Sequence, residues 1–193
     1  MIRRTFTISG WLAMISAFAS IPMAYLAFTL EGRGDTVGTL LQGGMQVAGT
    51  ALFVVITLLL KRFLNRVFGF YDTDKSIGLM VMANIVAGVF VLGGLCFAEI
   101  RETAGQAALV IMVFQGLVQI RFGYQLLKVP NNLGGLLKPF CYLNMATGVC
   151  VASLVLILVG VVLSAVSDLM LATIFFNIAK ELKEVELNRS ETK

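Results

Sequence analysis

The sequence predicts an all-α protein: a polytopic integral membrane helical bundle of six transmembrane helices in three tandem hairpins, or five helices if the last apolar stretch is a single span. Three observations carry this. Of 193 residues, 58 % are hydrophobic and only 13 % charged, with a mean hydropathy of +0.89. Soluble domains run nearer about 45–50 % apolar and about 25 % charged, so this chain cannot cover a water-facing surface. The apolar residues gather into runs of the length that crosses a bilayer as a helix, about 20 residues. The cations fall between those runs in an alternating pattern.

The runs are residues 6–30, 36–60, 76–98 and 103–120, the fourth continuing past Arg121 toward Leu127. The last, 139–179, carries Asp168 as its one charge and is about twice the length a span needs. Cation counting decides how it folds, because Lys and Arg collect in cytoplasmic loops. With Arg3 and Arg4 inside, Lys61, Arg62, Arg66, Lys75, Arg121, Lys128 and Lys138 are inside too, and Arg33 and Arg101 outside. A terminal hairpin returns Lys180, Lys183, Arg189 and Lys193 to the inside, so thirteen of the 15 cations share one face; a single helix leaves nine there. The hairpin is preferred, with its turn near residues 164–168 and Ser167 or Asp168 capping the sixth helix.

The expected units are 5–66, 76–128 and 139–183 within one transmembrane domain, followed by a charged cytoplasmic tail, 184–193. Residues 180–193 are expected to continue the sixth helix for a turn or two and then fray. The first run, preceded by Arg3 and Arg4, is longer than the 7–15 residues of a cleavable signal core and reads as a retained helix. With no transit-like leader, the expected location is a bacterial inner membrane with both termini cytoplasmic.

The hairpins look like a parallel threefold repeat. Aligned on Met14, Met82 and Met145, the odd-numbered helices place a small polar residue two positions later: Ser16, Asn84 and Thr147. The first two outer turns share an E-x-R…T-x-G pattern, Glu31/Arg33 and Glu99/Arg101, read as exposed turn ion pairs. Thr36 to Lys61 and Thr103 to Lys128 are both 25 residues. Around a pseudo-threefold axis the triplet would form a mid-membrane polar ring able to contact a small solute; the plainer reading is interhelical hydrogen bonding. Gln42 and Gln46, and Gln115 and Gln119, lie at i and i+4 and should face the bundle, with Gln42 and Gln119 near enough to a span end to reach headgroups. The candidate solute-binding residues are therefore Ser16, Asn84, Thr147, Gln46 and Gln115. The inner loop 61–75, with Phe63, Leu64, Val67, Phe68, Phe70 and Tyr71 between charges, reads as an amphipathic stretch lying on the leaflet.

Several chemistries lack their residues. There is no histidine, and Cys96, Cys141 and Cys150 show no C-x-x-C spacing, so neither a metal nor another cofactor is expected. With no paired acidic residues in the spans, general acid–base catalysis has few candidates and no enzyme is expected. The dispersed cations give no nucleic-acid footprint. The expected partners are the lipid bilayer and a second copy or another membrane protein.

Two functional readings remain. The first is a non-catalytic scaffold or accessory subunit acting through helix packing, supported by small-xxx-small faces such as Ala13/Ala17 and Ala83/Ala87. The second is a small-solute carrier, channel or substrate-capturing component built on the polar ring. In size and topology the chain resembles the substrate-binding components of vitamin transporters, and Ala13-x-x-x-Ala17 is similar to the alanine motif with which those dock their partner. Its short outer loops differ, since a captured ligand needs a lid. No P-x-[DE]-x-x-[KR] motif of mitochondrial carriers occurs.

Overall fold

The computed structural model describes residues 2–30, 36–130 and 135–191. It contains six α-helices: α1 (Ile2–Leu30), α2 (Thr36–Phe68), α3 (Asp74–Cys96), α4 (Arg101–Leu126), α5 (Leu137–Ala152) and α6 (Ile157–Glu191), with one 3₁₀ turn, Ala98–Ile100, between α3 and α4. All but α5 are long and apolar enough to cross a membrane. At 16 residues, α5 extends about 24 Å. The helices are apolar all round, as expected where the surroundings are hydrocarbon. Phe18, Phe28, Leu40, Val110 and Leu158 stand exposed on the outer surface.

Each helix packs on its neighbours in sequence, and α6 closes back on α1, so the six form a ring. The seams differ in tightness: α1–α6, α3–α4 and α4–α5 are the most extensive, whereas α2 is held least on both sides. Glycine explains the α4–α5 seam. A Cβ on Gly116 would lie 2.6 Å from the Gly148 carbonyl oxygen, and one on Gly123 would lie 2.9 Å from that of Cys141. The two backbones therefore touch, which is how membrane helices gain dispersion energy without a hydrophobic driving force. On the α1–α6 seam the Phe176 ring covers Gly10, 2.7 Å from where a Cβ would be. Trp11 meets the same ring edge-on at 5.7 Å. Ala13 and Ala17 are buried inside the bundle, so the alanine motif does not present a docking face.

The apolar core fills the end of the bundle where α1 begins. Phe63 is at its centre, with ring centroids 5.6 Å from Phe6, 5.8 Å from Phe175 and 5.2 Å from Phe68. Leu64, Ile77, Leu126 and Leu137 complete the seal. Phe63 and Leu64 are thus core residues on the last turns of α2, and the expected leaflet-lying stretch is not formed. Lys61 instead pairs with Asp74 at 3.4 Å, and Asn65 Nδ2 donates to the same carboxylate.

The final stretch is a hairpin, as charge counting indicates, but its turn lies at residues 153–156 and not at 164–168, which are inside α6. The reason is local. Ser153 Oγ donates to Cys150 O at 2.8 Å and accepts the Leu156 N–H at 3.3 Å, and Leu154 takes a left-handed φ of 58°. The turn closes hydrogen bonds within itself and carries apolar side chains outward. Neither Ser167 nor Asp168 caps a helix. Beyond the membrane, α6 runs on to Glu191, further than the expected turn or two of the tail. Arg101 Nε donates to Gly94 O at 3.3 Å and forms no ion pair with Glu99. The Glu31/Arg33 turn lies outside the described residues. Cys96, Cys141 and Cys150 are free thiols.

Candidate functional site

Above the aromatic seal the ring holds a partly open cavity of about 330 Å³, to which all six helices contribute. Its polar lining comes from short and medium side chains placed at one level of the bundle. Ser16 is midway along α1, and its hydroxyl donates to Asp168 Oδ2 at 2.7 Å. On the neighbouring residue of α6, Ser167 Oγ accepts Asn144 Nδ2 at 3.0 Å. Asn144 also donates to Phe140 O at 2.9 Å, and its Oδ1 accepts a long bond of 3.5 Å from Gln119 Nε2. A continuous polar band thus joins α4, α5, α6 and α1 through the consecutive residues Ser167 and Asp168. Asn84 of α3 also lines the cavity, and its buried Oδ1 has no hydrogen-bond partner. Ser20, Thr57 and Ser164 add hydroxyls, and the rest of the wall is apolar and aromatic, with Phe53, Phe122 and Phe140 prominent.

Asp168 dominates the electrostatics. It sits in α6 about 16 Å from the α5–α6 turn, and among the described residues no lysine or arginine lines the cavity. A carboxylate at membrane depth is expensive, and such residues generally face a cavity and mark a solute or ion pathway. The set as a whole provides one anionic acceptor, hydroxyls and amides that both donate and accept, and an apolar remainder. This is the composition of a small-molecule pocket.

Of the five candidates read from the sequence, Ser16 and Asn84 line the cavity and the other three do not. Thr147 is buried, but its hydroxyl donates to Leu143 O at 2.8 Å within its own helix. The position in register with Ser16 is Asn144, so the threefold girdle of Ser16, Asn84 and Thr147 is not formed. Gln46 Nε2 donates to Thr50 Oγ1 at 3.3 Å within α2 and lies beside Gly88 at the α2–α3 seam. Gln115 lies on α4 outside the lining. Gln119 is in the cavity. Asp168, read from the sequence as a cap of the sixth helix, lines the cavity inside the bundle. Its signal was its isolation as the one charge in residues 139–179.

No protein-family model, no curated protein and no solved structure matches the chain.

Proposed function

We propose that this multi-pass membrane protein is a non-catalytic binder of a small polar solute, working as a carrier or as the solute-capturing part of a transporter. The observation that carries this reading is Asp168, held by Ser16 in a cavity that all six helices line, with no cationic side chain beside it. Nothing in the packing requires a charge there, and an apolar residue would cost less. Asn84 of α3 adds a second polar side chain to the lining. The scaffold reading leaned on small-residue faces, but Ala13, Ala17 and Ala83 are buried within this one chain. The distribution of cations supports termini on the cytoplasmic side.

The test is a thermal-shift screen of the detergent-purified full-length chain against ions, vitamins, amino acids and lipids, repeated on Asp168→Asn and Asn84→Leu. A saturable stabilisation by at least one soluble compound, lost in both variants while they remain folded, supports the reading. Responses that the variants leave unchanged would sink it.

A further inference from the structure

The chemistry around Asp168 also names a class of solute, on the premise that the cavity is a solute site. We propose that the cavity takes a small organic ammonium ion, its positive charge against Asp168 and its alkyl groups against Phe53, Phe122 and Phe140.

The argument begins with charge. The lining carries one carboxylate and no cation, so an anionic solute is repelled, and a neutral one leaves the carboxylate uncompensated at membrane depth. A cation removes that cost. Size and donors then separate inorganic from organic cations. A bare metal ion is held by several oxygen ligands at 2–2.6 Å in a compact cage, and no group of three or more acidic, His or Cys side chains suited to that occurs among the described residues. A cavity of about 330 Å³ is instead at the lower end of the range for organic ligands. Third, the wall suits alkylammonium groups. Phe53, Phe122 and Phe140 come from α2, α4 and α5, so aromatic surface reaches the cavity from several directions. Aromatic faces attract alkylated ammonium ions, whose charge is spread over methyl groups too bulky for a tight oxygen cage. Asn84, Thr57 and Ser164 also line the cavity and offer hydrogen-bonding groups to an N–H or O–H on the same solute.

The test uses choline and 3,3-dimethylbutan-1-ol, which have the same shape but differ in one charge. Both are titrated against the full-length protein in detergent at constant ionic strength, by calorimetry and thermal shift. Choline is expected to bind saturably and the neutral alcohol at least about tenfold more weakly. Asp168→Asn should abolish that difference, and Phe140→Leu should weaken choline several-fold while leaving the alcohol unchanged. Equal binding of the two compounds, or a choline response unaltered in Asp168→Asn, would overturn the ammonium assignment. If choline fails while neutral solutes from the wider screen still bind in an Asn84-dependent way, the class is wrong and the cavity remains a solute site. If no compound binds, both readings fall together.

Discussion

Ser16 and Asp168 are separated by 152 residues in sequence, and the serine hydroxyl donates to the aspartate across 2.7 Å, closing the ring of helices where its last member meets its first. A hydrogen bond to an ionised group is worth more than a neutral one, about 1.5–3 kcal/mol net. Ser16→Ala is therefore expected to lower resistance to unfolding in sodium dodecyl sulfate and to loosen the α1–α6 seam. Ser16→Thr, which keeps the hydroxyl, should restore most of the loss. Equal behaviour of the alanine and threonine variants would show that the bond contributes nothing.

Asp168→Leu is expected to act in the opposite sense. It removes a charge that lacks a cationic partner at membrane depth, so the variant should unfold at the same or a higher temperature while losing all solute response. A variant that fails to fold would mean that Asp168 is structural.

The glycines should separate sharply by position. Gly116→Ala places a methyl group against the Gly148 carbonyl oxygen and the Ala152 nitrogen, which are backbone atoms that cannot rotate away. It should cost about 2 kcal/mol or more, in the range of overpacked cores. Gly44→Ala meets nothing within 4 Å and should be neutral or stabilising by up to about 1 kcal/mol. Both are read from the same denaturation series in mixed micelles.

The α5–α6 turn carries Val155 outward, 90 % exposed, with no charged residue near it in sequence. A spin label at Val155→Cys, in a background without Cys96, Cys141 and Cys150, should relax with dissolved oxygen rather than with a water-soluble nickel chelate. The reverse order would place the turn in water.

What was readable from the sequence was whatever lipid itself imposes. Helix number follows from apolar length and from where Lys and Arg fall, since both respond to the bilayer and not to neighbouring helices. The last turn shows where such reasoning stops. Turn residues announce themselves in water-facing loops, but the break at Ser153 has no Gly, Pro, Asn or Asp, while the polar cluster 164–168 that resembles a turn is polar because it faces the cavity. The same limit governed Thr147 and Asn144. They lie three residues apart on one helix, and only packing determines that one is satisfied by its own backbone while the other reaches across to Ser167.

The unequal seams have a mechanical consequence. The backbone contacts of α3–α4–α5 and the interlocked α1–α6 pair behave as two stiff blocks, because close-packed surfaces do not deform by small amounts. The α2 helix belongs firmly to neither, yet contributes Gly49, Phe53 and Thr57 to the cavity wall. A solute entering the cavity as proposed is therefore expected to pass where α2 swings aside, since its seams are the least extensive. Paired spin labels on α2 and α4 should show a distance distribution that narrows when solute is bound, whereas labels on α4 and α5 should show one distance throughout; a broad, unchanging α2–α4 distribution would assign the motion elsewhere.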